Sequence, residues 1–234
     1  MRPVNRGDRP TDSNGNLVEF KEYGDARPYL INRLGQYCSY CEIWLPMGLA
    51  VEHIQPKGNE TALEKEWSNF LLSCPSCNSR KSKKVVNAEN LHDYYWPHCD
   101  NTFRVFIYEN DRAPQIAKSL NEAQQRIARN TLELTGLDLE PISRKNVKDP
   151  RWTPRYTAWR KAEWAKEDFN RDSGEAMRLR IVDTAITTGF WSIWMTVFQD
   201  YADMRRRLIE AFQGTSEECF DHNAQPIQRA GGKI

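Results

Sequence analysis

Hydrophobic positions in the second half of the chain recur at helical spacing. From Pro114 to Gly136 an apolar residue follows about every third or fourth position, and a glycine stands where a helix would end. A helix is also predicted to begin at Thr153, and others to cover residues 175–187 and 190–212. The first half of the last one is apolar nearly all round, which indicates that it is buried.

The first half of the chain contains short apolar runs instead. Asp25 and Gly35 can cap the two ends of a short helix. The runs Ile43–Leu45 and Leu49–Val51 flank a turn that contains proline and glycine, which predicts a hairpin. A loose alternation over residues 102–108 predicts a further strand.

Stretches without periodicity mark the two ends and the middle of the chain. Residues 1 to about 22 predict an extended lead-in over the surface, and those after Gly214 predict a loose tail. The basic, proline-bounded segment Pro141–Pro150 predicts a linker. We therefore expect an α+β fold, mainly α, made of a lead-in with a short helix (1–36), a central core (37–112) and a helical region (113–234).

Composition limits the expected functions. Of the 234 residues, 33 are Lys or Arg and 32 are Asp or Glu, a net charge of +1, so affinity for nucleic acid requires a local basic patch. No apolar run approaches the roughly 20 residues that span a bilayer, and the first residues lack the apolar centre of a secretory signal. We expect a cytoplasmic protein that does not enter a membrane.

Four of the six cysteines form two CxxC pairs, Cys38/Cys41 and Cys74/Cys77. In a cytoplasmic setting such pairs favour metal binding over disulfides, with redox chemistry as the alternative. Four thiolates close a tetrahedron around Zn²⁺ and leave no open position, which predicts a structural zinc ion. Cys99 and Cys219 have no such partner and are expected to be ordinary thiols.

Between and after these pairs lie three further motifs: Val51-Glu52-His53-Ile54-x-Pro56, Trp67-x-Asn69-Phe70 and Asn78-x-x-Lys81. In this order they resemble the HNH endonuclease motif. The resemblance implies a zinc-stapled, treble-clef-like ββα-metal core, in which two strands and a helix surround a metal ion. Together with the run Tyr37–Glu42, the motifs are similar to zinc-containing HNH nucleases of bacterial anti-phage defence systems, of the Septu and retron-effector type. That similarity implies an ATPase partner.

Catalytic roles follow partly from the residues and partly from the resemblance. The unperturbed pKa of a histidine lies near neutrality, which suits His53 to act as the general base. The resemblance implies that Glu52 and Asn78 hold a catalytic divalent ion, and that Asn69 pins the loop and orients the base. Oxygen ligands favour Mg²⁺ or Mn²⁺ over a second Zn²⁺.

A basic cluster follows the second cysteine pair and consists of Arg80, Lys81, Lys83 and Lys84. No acidic residue occurs between Trp67 and Ala88, so the local field is positive and the cluster is expected to bind phosphates. The alternative is that these basic side chains are only the solvated face of a helix and bind nothing.

These observations predict a metal-dependent endonuclease that hydrolyses phosphodiester bonds, with double-stranded DNA as the expected substrate, as the nuclease component of an anti-phage defence system. The alternative is a zinc-stabilised nucleic-acid-binding module without catalysis. The region from Pro114 onward is expected either to bind a partner or to cap the core, and its tryptophans are expected in the core.

Overall fold

Two short strands and a helix form the centre of the first half of the chain. The computed structural model, which describes residues 1–58, 61–139 and 149–234, places strand β1 at Ala50–His53 and strand β2 at Phe70–Ser73. The strands pair antiparallel, with His53 opposite Phe70. Helix α2, Pro75–Lys81, follows β2 directly and contacts β1. The order strand, strand, helix agrees with the predicted core.

The hairpin predicted between Ile43–Leu45 and Leu49–Val51 is wrong. Trp44 forms an isolated bridge with Tyr37, and Ile43 forms one with Gly189. All four residues of β2 are buried, whereas residues 43–45 are partly exposed. The fully buried run, Phe70–Ser73, therefore pairs with β1, although it lies further along the chain.

Two other predictions for the first half are confirmed in part. Helix α1, Arg27–Leu34, ends at Gly35, whose φ of 72° suits glycine. The strand predicted over 102–108 is reduced to β3, Phe106–Ile107, which pairs antiparallel with β4, Gln115–Ile116.

The second half is helical, as predicted, and contains α3 (Glu122–Thr135), α4 (Trp152–Arg171), α5 (Glu175–Thr188), α6 (Trp191–Val197) and α7 (Ala202–Ala211). Helix α3 begins after Pro114 because Asn121 caps it in a reciprocal pair of hydrogen bonds with Gln124. It ends at Gly136, which is left-handed as expected. The single helix predicted over 190–212 is two helices, and the break between them lets Phe198 and Tyr201 pack edge to face.

Both chain ends are packed against the fold. The N–H of Val4 donates to the carbonyl of Pro97, and Val4 bridges Thr215. The N–H of Asn101 donates to the carbonyl of Ile234, which is 4% exposed. The prediction of a loose tail is therefore wrong, and the prediction of a surface lead-in is wrong for residues 1–4, which are buried, whereas residues 11–19 are mostly exposed. The linker predicted over 141–150 lies, from 141 to 148, outside the described residues.

Buried side chains form two hydrophobic clusters. The first joins α1, β1, β2, both cysteine pairs and α3, and the second joins α4 to α7 around Trp191 and Trp194. Tyr37 belongs to the second cluster although Cys38 belongs to the first. The first cysteine pair therefore lies where the clusters meet. Among the helices described, none combines the length and the apolar character needed to cross a membrane.

Candidate metal centre and active site

The four predicted cysteines converge on one buried point. The Sγ atoms of Cys38, Cys41, Cys74 and Cys77 all lie within 4.8 Å of one another, and those of Cys41 and Cys74 are 3.6 Å apart. Tetrahedral zinc with Zn–S bonds of about 2.3 Å separates its sulfurs by about 3.8 Å. The cluster therefore fits a structural zinc ion, which all four cysteines would hold.

Local backbone contacts bring the two cysteine pairs together. The N–H of Ser39, in the first pair, donates to the carbonyl of Leu72 in β2 over 2.8 Å. Cys74 is the N-cap of α2, and its Sγ accepts the N–H of Cys77 at 3.4 Å. Pro75 occupies the first helical position, where a missing N–H costs little. A zinc ion here would join the first pair to the junction of β2 and α2.

Burial disfavours thiolates at Cys41 and Cys77 unless a cation is bound. It raises the pKa of the Cys77 thiol well above its ordinary value, and that of Cys41 likewise. A bound zinc ion supplies the charge that keeps buried thiolates deprotonated. The donor set and its burial are thus those of a structural zinc centre.

His53 is held rigidly at the end of β1. Its ring is 8% exposed and packs against Tyr23, with centroids 4.9 Å apart, and against Phe70 at 5.3 Å. Nε2 lies 2.9 Å from the carbonyl oxygen of Glu64. A carbonyl oxygen only accepts, so Nε2 carries the proton and Nδ1 keeps its lone pair. Burial lowers the pKa of His53, which favours this neutral form.

Glu52 forms a buried ion pair with Lys81. Oε1 of Glu52 lies 2.8 Å from Nζ of Lys81, and the same ammonium donates to the carbonyl of His53 at 2.6 Å. Burial raises the pKa of Glu52 and Lys81 opposes that effect. The sequence predicted that Lys81 binds phosphate as part of the basic cluster. Lys81 is only 1% exposed, so its side chain does not lie on an exposed face. Its ammonium instead joins the predicted metal ligand to the backbone of the predicted base.

An open cleft of about 240 Å³ brings the predicted chemistry together. Glu52, His53, Asn78 and Lys81 all line it. Glu52 and His53 are neighbours on a strand, yet both line this cleft, because the strand ends at His53. Residues from β1 and α2 therefore converge on one surface.

Asn69 lies beside the cleft rather than in its lining. Its Oδ1 accepts the N–H of Gln55 at 2.8 Å, and its Nδ2 donates to the carbonyl of Gln55 at 2.9 Å. Nδ2 also reaches the carbonyl of Leu63 at 3.3 Å. Asn69 thus fixes the segment after His53 and the residue before Glu64, whose carbonyl orients His53.

The remaining basic residues differ in exposure. Lys83 and Lys84 are exposed, whereas Arg80 is partly buried and lies across Gly136. Lys57 and Tyr23 also line the cleft, and the sequence analysis assigned neither of them a role. Lys57 directly follows Pro56 of the motif, so its position was a usable signal. Nothing in the sequence linked Tyr23 to His53.

Comparison with known proteins agrees with this geometry. The search of curated proteins found no match for the chain. The sequence model of the HNH endonuclease family matches residues 36–84, which include both cysteine pairs, β1, β2 and α2. Residues 36–84 are thus an HNH endonuclease domain.

Proposed function

We propose that the protein is a metal-dependent endonuclease that hydrolyses phosphodiester bonds at the cleft between β1 and α2. The observation that carries this proposal is His53, whose Nε2–H donates to the carbonyl of Glu64 and whose Nδ1 remains a proton acceptor. Glu52 and Asn78 line the same cleft. We assign His53 as the general base and the other two as ligands of Mg²⁺ or Mn²⁺.

The residues of the chain divide the work of hydrolysis. His53 accepts a proton from the attacking water at Nδ1, and the carbonyl of Glu64 stabilises the imidazolium that forms. Lys81 contacts Oε1 of Glu52, and Glu52 and Asn78 would hold the ion. A bound divalent ion supplies charge stabilisation to the phosphate and the leaving oxygen. Asn69 keeps the base in position through Gln55.

The substrate and the setting rest on charge and on resemblance. Exposed Lys57, Lys83 and Lys84 lie in or near the cleft and supply positive charge to a phosphate backbone. We propose double-stranded DNA as the substrate, and action in the cytoplasm beside an ATPase in an anti-phage defence system. Co-purification with an adjacent-gene ATPase tests the last point, and a nuclease that cuts alone as a monomer would argue against it.

A second candidate is a zinc-stabilised nucleic-acid-binding module without catalysis. The buried pair of Glu52 and Lys81 favours it, because the ammonium already neutralises the carboxylate that the metal would need. The HNH domain and its zinc centre are common to both candidates. Only hydrolysis separates them.

Cleavage of supercoiled plasmid DNA with Mg²⁺ or Mn²⁺ decides between the two. We expect His53→Ala to lower the cleavage rate by about 10²- to 10⁴-fold, the usual contribution of a general base. His92→Ala is the matched control, since that side chain is 74% exposed. Equal cutting by wild type and His53→Ala overturns the assignment of the base. Tight DNA binding without cleavage, with the partner present, supports the non-catalytic module.

A further inference from the structure

Arg151 lies against the cysteine cluster although 74 positions separate it from Cys77. Its Nη1 is 3.1 Å from Sγ of Cys77, and the side chain is 1% exposed. The same guanidinium donates to the carbonyls of Thr135 at 2.8 Å and Gly136 at 2.6 Å, at the end of α3. One group therefore joins the cluster, α3 and the N-terminus of α4.

The charge of Arg151 is already balanced. Nη2 lies 2.6 Å from Oδ2 of Asp149, and Nε lies 2.8 Å from Oδ1. The arginine therefore brings N–H donors to the sulfur of Cys77 but no net positive charge. A second cation is needed to offset a negatively charged cluster.

Arg155, one turn further along α4, is a second buried cation. It is 7% exposed, and within the described ranges it forms no ion pair with a carboxylate. Burial lowers the pKa of Arg155, and Cys41, Asp149 and Cys77 oppose this effect. Of the two arginines, only Arg151 contacts a sulfur of the cluster directly, through the 3.1 Å contact with Cys77.

A zinc ion with four thiolates carries a net charge of about −2. We propose that Arg151 is a positioning residue of the zinc centre, which holds an N–H donor against the Cys77 thiolate and couples zinc binding to the docking of α4. This inference rests on the proposed zinc ion. Because such coupling is reciprocal, α4 strengthens zinc binding by the same factor by which zinc strengthens the docking of α4.

The test uses the full chain and measures zinc content, then the rate of zinc transfer to the chelating dye pyridylazoresorcinol. Removing a group that supports metal ligands typically costs about 10- to 100-fold in affinity, so Arg151→Gln should release zinc faster by about that factor. Arg151→Lys keeps a charged N–H donor and should release zinc more slowly than Arg151→Gln. Arg171→Gln, at the exposed end of α4, is the control and should not change the rate.

A purely structural role predicts a different pattern, in which Lys and Gln at position 151 are equally damaging. Substitution of the zinc by Co²⁺ gives an independent readout, since the thiolate charge-transfer bands should shift in Arg151→Gln and not in Arg171→Gln. If wild type contains no zinc, both the zinc centre and this inference fall. If zinc is bound and Arg151→Gln releases it at the wild-type rate, only this inference falls.

A further measurement needs no variant. Zinc removal from wild type should increase amide hydrogen exchange in the first two turns of α4 more than in α7, which has no residue against the cluster. An increase without preference for α4 overturns the coupling.

Discussion

The buried pair of Glu52 and Lys81 offers the sharpest test of the site geometry. Lys81→Met keeps most of the side-chain volume but removes the ammonium that contacts Glu52 and the carbonyl of His53. Glu52 is 4% exposed, so its carboxylate is left buried without a partner. Breaking such a pair costs about 3–5 kcal/mol. For a chain of this size that lowers the melting temperature by roughly 6–20 °C.

Urea unfolding of full-length protein measures this loss. Lys83→Met is the matched control, because that lysine is exposed and its loss should change the free energy of unfolding by less than about 0.5 kcal/mol. The double variant Glu52→Gln/Lys81→Met removes both charges and should regain about 1–3 kcal/mol of the loss. If Lys81→Met is as harmless as Lys83→Met and only weakens DNA binding, Lys81 belongs to the phosphate-binding face after all.

Three further perturbations test the zinc centre, the contact between the two halves and a buried histidine. Zinc removal by a chelator should abolish cooperative unfolding. A structural zinc ion supplies about 10–16 kcal/mol of folding free energy, and the free energy of unfolding of a whole protein is about 5–15 kcal/mol. A zinc-free protein with an unchanged circular dichroism spectrum would contradict this prediction. Gly189→Ala should cost about 2–4 kcal/mol in urea unfolding, because φ is +76° and a Cβ would lie 2.6 Å from the N of Trp44. Gly15→Ala, with φ +82° and open space, should cost about 1 kcal/mol, and equal losses would show that the Trp44 contact is unimportant. Burial lowers the pKa of His98 to about 3. Below about pH 6.5 the unfolded chain therefore takes up a proton at His98, whereas the folded chain does not. The free energy of unfolding should fall by about 2 kcal/mol from pH 7 to pH 5. His98→Gln should remove that loss in urea unfolding, and the same pH dependence in wild type and variant would rule out His98 as its source.

Local spacing was enough to predict the metal centre, because the two residues of each cysteine pair lie close in sequence. Pairing of strands could not be predicted in the same way, since Ile43–Leu45 and Phe70–Ser73 are both short apolar runs. The partner of β1 depends on which run the rest of the fold buries completely. Helix α3 was predicted well because its periodicity and Gly136 are local signals.

Charged residues show the limit of sequence reasoning most clearly. Lys81 stands in a basic run, and its place in the motif Asn78-x-x-Lys81 does not reveal that it is buried whereas Lys83 is exposed. Its burial depends on Glu52, which lies on a different element. Arg151 lies far from the cysteines in sequence, so its contact with Cys77 follows only from how α4 packs. Ion pairs between distant elements leave no periodic signal.

Glu42 shows that the HNH segment and the helical region are joined beside the cysteine cluster. It directly follows Cys41 and has a φ of 66°, a conformation that non-glycine residues adopt at a cost. Its carboxylate accepts the N–H of Ser192 at 2.8 Å and the hydroxyl of Ser192 at 2.5 Å, and its carbonyl accepts the N–H of Phe190. The start of α6 therefore depends on the first cysteine pair, as the start of α4 depends on Cys77 through Arg151. Because both contacts are buried, removing the helical region would expose a strained residue and uncover the metal cluster. The helices after residue 113 thus complete the surroundings of the cysteine cluster, which in turn joins the first cysteine pair to β2 and α2 beside the cleft.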